Sequence, residues 1–502
     1  MPEFAPPVDH LDAVLAWLAA EPADDPVVDL TELRKHLDLP ASQDIVGTQR
    51  LQALDLLRVR ALDICSRFRP RLLTAALPLG RSLHLAAADL VEALLVLSEH
   101  YRVLLGELQR RWLWSRQQEM AVLSAQGLQM VGEAAMLSAM AGASAPFGLW
   151  QKAHALWRAS GQMRDGGGVE ATPVCLHYLR LLAIAVSQPE SLTARELQWL
   201  FDFLESIALD GELSTSPIQP EAASYWIDLA QDSPPIAIAR KAPGQGSDIL
   251  FFGPLALNRQ VSARVAWLEE KILEAEVVGL DTDGELLDPE SSGLPEGLAP
   301  LEALALLRRL RDRWATPALR SQPRRRHQYR VQVGAGIKAV WDLLRGTAGE
   351  PSEWMVYNES PGGYAILSVG GVDCSLSAGM VLALRREPTQ GWTVCVVRWI
   401  RSDNPDQVEL GLQVISQGCA AVSVGFRGAD SQSMSPALML PPLPAVRPHF
   451  AIVAHAGTYA SRRFILIHED KHLYVAQCRV LGLDMQTASI ELFQYEVDPY
   501  PI

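Results

Sequence analysis

Over the first two hundred positions the apolar residues recur at three- and four-residue spacing. DHLDAVLAWLAA (9–20), TQRLQALDLLRVRALDICSRF (48–68) and SLHLAAADLVEALLVLSEHYRVLLGELQRRWLW (82–114) show the period most fully. That period puts the apolar side chains on one face of an α-helix. LHYLRLLAIAVSQ and TARELQWLFDFLESIA continue it, and Thr193 followed by Glu196 reads as a capping box opening the last of these helices. An all-helical, bundle-like domain is predicted from Asp9 to about Asp210.

From residue 211 the texture changes. GELSTSPIQPEAASYW and ARKAPGQGSD are rich in Pro, Gly and Ser, and DILFFG reads as a short strand or buried turn. VSARVAWLEEKILEA and LAPLEALALLRRLRDRWATPALR read as helices on either side of the acidic stretch LDTDGELLDPESSGLPEG. After Pro323 the repeat shortens to two. GYAILSVGG, GMVLALRRE, WTVCVVRWIRS, VELGLQVIS and AAVSVGF are β-branched and aromatic runs about ten residues apart, the pattern of a small barrel. FAIVAHAG, RRFILIHED, KHLYVAQCRVLGLD and ASIELFQYEV carry β character to the C-terminus. The predicted class is α+β multidomain. Residues 1–210 form the helical domain, 211–322 a connector or subdomain with helices, 323–426 a barrel, and 427–502 a β extension or second small barrel.

Composition narrows the function. The chain has 502 residues, 49% of them hydrophobic, and a formal net charge of −14. Such an acidic balance argues against bulk attraction to DNA or an anionic membrane. No run of apolar residues is long enough for a membrane span, and MPEFAPPVDHLDAV lacks the basic and apolar regions of a signal peptide. A cytoplasmic location is expected. The six cysteines are scattered with no CxxC pair, so free thiols are expected rather than a zinc knuckle.

Several motifs suggest chemistry and fail on context. HEDKH (468–472) matches the zinc-peptidase pattern, which needs both histidines on one helical face; the flanking runs FILI and LYVAQC place it at a hairpin turn. DTDG (281–284) opens like a calcium loop, but Ser292 stands where the bidentate glutamate belongs. VGAGIKAV (333–340) lacks the Lys-Ser/Thr pair of a phosphate loop and reads as a strand ending where the helix IKAVWDLL begins. No GxSxG elbow is present, and no motif supports an enzyme or a metal site.

Two stretches remain. RRRHQYR (324–330), with Arg320 just upstream, places five arginines within eleven residues of an acidic chain. WMVYNESPGGYAI follows some thirty residues later. Guanidinium groups bind phosphate or the guanine edge bidentately and stack on π faces. Asn and Ser supply directional polar contacts, and glycine permits close approach. Residue pattern alone leaves a basic linker beside an ordinary turn equally open.

In that order, and followed by TVCVVRWIRS and VELGLQVIS, the two motifs make Pro323–Phe426 resemble a PilZ domain, the bacterial family that binds cyclic di-GMP. Its signature is RxxxR ahead of a six-stranded barrel, then (D/N)xSxxG on the barrel. The resemblance implies that Arg326 and Arg330 wrap phosphates and guanines with help from Arg325. By the same resemblance Asn358 contacts a guanine edge, Ser360 a phosphate or nearby polar group, and Gly363 permits close approach. The helix IKAVWDLL between the motifs departs from a minimal PilZ domain. More loosely, HYRVLL, FGLWQKAHALW and CLHYLRLLAIA resemble the N-terminal domain of larger proteobacterial proteins ending in PilZ. The implied function is a non-enzymatic cyclic di-GMP effector with no other cofactor, whose helical domain binds a protein partner. The alternative is a ligand-independent interaction scaffold with a degenerate barrel.

Overall fold

The computed structural model describes residues 10–38, 40, 48–110, 117–162, 171–244, 248–278, 292–317, 322–347, 350–369, 372, 374–426, 434–460, 462–469 and 472–498. DTDG and Arg320 lie outside these residues.

Helices α1 (His10–Ala19), α2 (Pro26–His36), α3 (Thr48–Thr74), α4 (Arg81–Arg110), α5 (Gln117–Met140), α6 (Leu149–Ala159), α7 (Pro173–Val186) and α8 (Ala194–Ile207) form the first half. The capping box at α8 is present: the Glu196 backbone N–H donates to Thr193 Oγ1, and the Thr193 N–H to Glu196 Oε2 at 2.9 Å. Two of the N–H groups orphaned at a helix start are thereby satisfied.

The stretch expected as a connector carries a small antiparallel sheet that the sequence pattern disclosed only at DILFFG. Strands β1 (Glu212–Ser214), β2 (Tyr225–Asp228), β3 (Ile236–Ala237) and β4 (Ile249–Gly253) stand in the order β1-β4-β2-β3. One face (Leu213, Tyr225, Ile227, Leu250, Phe252) packs into the helical core. The other closes a minor cluster of Ile218, Trp226 and Phe251. Strands of two to five residues are too short to show alternation, so Pro, Gly and Ser dominated the reading. Helices α9 (Leu255–Val278) and α10 (Pro300–Ala315) also bury their apolar stripes in the helical core, so the described residues of 211–315 have no separate major core. Near the end of α10, Trp314 Nε1 donates to Ser187 Oγ at 3.0 Å and Arg313 Nη1 to the Ser187 carbonyl at 2.5 Å.

Two closed six-stranded barrels follow. The first contains β5 (Arg325–Ala335), β6 (Ser352–Ser360), β7 (Gly363–Val369), β8 (Val381–Arg385), β9 (Thr393–Asn404) and β10 (Gln407–Ser416), in the order β10-β7-β6-β5-β8-β9. Val331, Val333, Trp354, Val356, Ile366, Leu382, Val397 and Leu410 fill it. The second contains β11 (Ala420–Phe426), β12 (Ser435–Leu440), β13 (Ala451–His455), β14 (Arg463–Glu469), β15 (Leu473–Gln486) and β16 (Ile490–Val497). The boundary expected at 426 therefore falls after Ser416, because β11 pairs with β12 and β14 rather than with β10. AAVSVGF has the same alternation whichever barrel it joins; pairing decides.

Helix α11 (Ile337–Arg345) is the insertion read as IKAVWDLL, and it lies between the barrels. Ile337 and Val340 join a cluster of Val381, Val394, Val396, Leu438, Leu440 and Val453, drawn from both. Trp341 Nε1 donates to the Val422 carbonyl at 2.8 Å. HEDKH falls on the β14–β15 hairpin, with His468 opposite Tyr474 and Glu469 opposite Leu473, so the helical face that zinc ligation needs is missing. No described helix is long and apolar enough to cross a membrane.

The helical half packs on one end of the first barrel. Asp403, near the end of β9, accepts from the Ser144 N–H at 2.6 Å and from Ser144 Oγ at 2.9 Å. Ser402 N–H donates to the Gly142 carbonyl, and Leu376 N–H to the Leu77 carbonyl, both at 2.8 Å.

Candidate nucleotide-binding site

RRHQYR is the opening of a barrel strand rather than a linker ahead of the barrel. β5 pairs with β6 in antiparallel register, so Arg325 stands opposite Glu359 and Arg326 opposite Asn358. The strand starts wet and ends dry. Residues 325–328 are exposed and Tyr329 is half-buried, while Val331 and Val333 are in the core. That gradient arises because the apolar alternation begins only at Tyr329.

A bulge interrupts the register between Arg326 and Tyr329. His327 and Gln328 together face the single residue Tyr357. On a regular strand, residues four apart would share a face. An extra residue breaks that repeat, bends the strand and re-aims its side chains. A second irregularity lies between Val356 and Asn358 in the β6–β7 pairing. The two motifs thus meet where the barrel wall is bent.

The six residues expected at the site divide into four groups. Arg325 and Arg326 are exposed and their side chains make no ion pair among the described residues. Asn358, across from Arg326, has its Oδ1 buried without a hydrogen-bond partner among the described residues. A buried acceptor left unmatched costs about 1–3 kcal/mol, so a donor supplied there would be favoured. Arg330 lies opposite Met355, three residues along β6 from Asn358, or about 10 Å at strand rise. Its Nη1 donates to Glu353 Oε2 at 2.9 Å in an exposed pair. Ser360 and Gly363 close the β6–β7 hairpin as a register pair, with Ser360 Oγ donating to the Gly363 carbonyl at 3.4 Å. Gly363 also has a packing reason to be glycine. A Cβ there would lie 2.1 Å from the Leu412 carbonyl oxygen of β10.

The sequence motifs did not single out the residues that hold this corner together. Tyr329 donates its hydroxyl to Glu359, and His327 Nε2 lies 3.7 Å from the same carboxylate. Burial, and then the hydrogen bond to Glu359, push the Tyr329 phenol well above its usual pKa. Arg386, just beyond β8, sets its guanidinium 4.9 Å from the centre of the Tyr329 ring. Tyr329 and Glu359 stood inside the quoted motifs. Arg386, 57 residues after Tyr329 and 27 after Glu359, had no local signal.

Two cavities lie elsewhere. One of about 220 Å3 sits where the helical half meets both barrels, among Leu77, Met140, Leu192, Leu376, Ile400 and Ser489. A more apolar one of about 530 Å3 follows α4 beside Phe147 and Asp403. Neither borders the arginine strand, whose residues 324–328 and Arg330 are exposed. Among the described residues no cluster of His, Cys, Asp or Glu has the geometry of a metal site.

A six-stranded barrel that opens with an arginine strand and presents NESPGG on the adjoining hairpin defines a PilZ domain. The comparisons agree. Residues 348–420 match the family model described as the middle PilZ domain of the cyclic-di-GMP receptor FimW, and residues 12–218 match that of its N-terminal domain. The chain carries a PilZ domain behind an N-terminal helical domain of the FimW type. Asn358, Ser360 and Gly363 fall within the matched barrel range, and the arginines precede it. The cyclic-di-GMP receptor FimW of Pseudomonas aeruginosa is 29% identical over 341 residues, covering 66% of this chain and 50% of that protein. The chain therefore matches about half the length of this curated relative. No solved structure matches the chain significantly.

Proposed function

We propose that this chain is a receptor for cyclic di-GMP with no catalytic activity of its own. The observation that carries the reading is the register pair Arg326–Asn358, in which, among the described residues, an exposed arginine without an ion pair stands across from an asparagine whose buried Oδ1 has no hydrogen-bond partner. Arg326 and Arg325 are assigned to the phosphates and guanine edges, and Arg330 to the far side of a two-base ligand once it leaves Glu353. Asn358 Oδ1 accepts from a guanine N–H, Ser360 offers a hydroxyl at the hairpin, and Gly363 keeps that hairpin close to β10. The similarity to a protein named as a cyclic-di-GMP receptor supports the same ligand.

Two connections lead from the site toward the helical half, which we assign to a protein partner. One is the chain itself, since α10, tied to Ser187 through Arg313 and Trp314, runs toward β5. Burial lowers the Arg313 pKa to about 10, and with its guanidinium held on a carbonyl the helix end has a fixed anchor. The other is the barrel wall, where β9 ends at the Asp403–Ser144 contact. Ligand that orders β5 is read out through both.

Isothermal titration of the intact chain with cyclic di-GMP, cyclic di-AMP and GTP tests the reading. Saturable binding of cyclic di-GMP alone is the expected result. Absence of heat with all three favours the alternative, a ligand-independent interaction scaffold.

A further inference from the structure

Strand β8 ends at Arg385 and the following loop opens with Arg386, two adjacent arginines that the fold treats differently. Arg385 is consumed by structure. Its Nε donates to Gln332 Oε1 at 2.8 Å, its Nη1 to the Pro388 carbonyl at 3.0 Å, and its guanidinium lies over Trp392. Arg386 is exposed and has no ion-pair partner among the described residues. Its one described contact is the Tyr329 ring, 4.9 Å away.

That ring is not free to turn. The Tyr329 hydroxyl is tethered to Glu359, the residue between Asn358 and Ser360, and the ring packs partly into the barrel core. Glu359 thereby directs its carboxylate to Tyr329, with His327 Nε2 3.7 Å from the same group. A planar guanidinium has two faces, and an aromatic ring on one of them pre-organises the other for a second flat partner.

We infer that Arg386 is a further ligand-contacting residue of the nucleotide site, stacking its open face on a guanine base, with Tyr329 as the residue that positions it. This rests on the receptor reading above and adds a recognition element that lies outside both sequence motifs. It also gives Glu359 a role, as the tether of the Tyr329 ring.

The test is titration calorimetry of cyclic di-GMP against the full chain and its Arg386→Ala, Arg386→Lys and Tyr329→Phe forms, with the unliganded melting temperature of each recorded. Loss of a base stack corresponds to an affinity drop of about tenfold or more for Arg386→Ala. Lysine keeps the charge but not the plane, so Arg386→Lys is expected to lose nearly as much. Tyr329→Phe keeps the ring but frees it from Glu359, and an intermediate loss is expected. Unliganded melting of the Arg386 variants is expected to stay unchanged, separating ligand contact from folding. Unaltered affinity in Arg386→Ala, while the parent chain binds, overturns the inference and leaves the receptor reading intact. Full affinity in Arg386→Lys overturns the stacking assignment. No binding by the parent chain overturns the receptor reading itself.

Discussion

Arg326 and Asn358 stand directly opposite each other on neighbouring antiparallel strands, although thirty-two positions separate them in the chain. One side chain is an exposed cation and the other carries a buried oxygen without a donor among the described residues. If this pair is the centre of the site, Arg326→Ala removes a charge-assisted contact worth roughly 2–3 kcal/mol. Calorimetry is expected to show cyclic di-GMP affinity falling about a hundredfold. Unchanged affinity in both Arg326→Ala and Arg330→Ala would sink the assignment.

Arg330 differs from Arg326 in having a partner already. Its pair with Glu353 is exposed on both sides, so it contributes little stability, on the order of 1 kcal/mol at most. Glu353→Gln should therefore leave the melting temperature nearly unchanged and tighten cyclic di-GMP binding up to severalfold, by releasing Arg330. Weaker binding in this variant would mean that Glu353 orients Arg330 for the ligand.

Gly363 makes a prediction about folding. An alanine methyl at this position would fall 2.1 Å from the Leu412 carbonyl oxygen, and backbone on an adjacent strand cannot yield cheaply. Gly363→Ala is expected to destabilise the barrel by about 2 kcal/mol or more. Denaturant unfolding without ligand measures it. Full stability combined with lost ligand affinity would instead assign Gly363 to ligand approach alone.

The Asp403–Ser144 contact offers a way to uncouple the domains. Asp403→Ala leaves the Ser144 N–H and hydroxyl without this acceptor. Amide exchange is expected to quicken around 141–147 and 402–404, and the change in exchange that cyclic di-GMP produces in the helical half is expected to shrink. Protection equal to the parent chain at both segments would show that the contact transmits nothing.

His154 sets a pH dependence in the helical half. It is fully buried, with Nδ1 2.9 Å from the Tyr178 hydroxyl and Nε2 3.2 Å from the Ser233 carbonyl. A carbonyl only accepts, so Nε2 carries the proton and Tyr178 O–H donates to Nδ1. Burial lowers its pKa to about 4, and that of His177 likewise to about 4. Between about pH 6.5 and 4 the unfolded chain binds protons that the folded one refuses. Stability is complete above that window and lost as pH falls through it, at up to roughly 1.4 kcal/mol per pH unit for a buried histidine. Thermal melts from pH 7 to 5 should show this slope, and His154→Gln should flatten it. An equal slope in the variant would place the titration elsewhere.

Much of this protein is legible in its sequence because long elements advertise their period. The helices α1, α3, α4, α7 and α8 and the strands β7 to β11 and β13 to β16 repeat at 3.6 or two residues over enough length to outweigh local noise. The arginine run and NESPGG were equally visible, since charge density and a polar-small turn are local properties. Strands β1 to β3 were not, because three residues carry no period.

What the tertiary structure alone decided is adjacency. The bulge that faces His327 and Gln328 against Tyr357 sets Arg326 across from Asn358, and no spacing rule encodes it. Arg386 reached Tyr329 because closing the barrel made β8 a neighbour of β5 on the side away from β6. The same logic moved AAVSVGF into the second barrel and gave Gly363 its packing reason, since both depend on which strand lies alongside. A sequence specifies its alternation residue by residue; hydrogen-bonded partners are chosen only when the sheet closes.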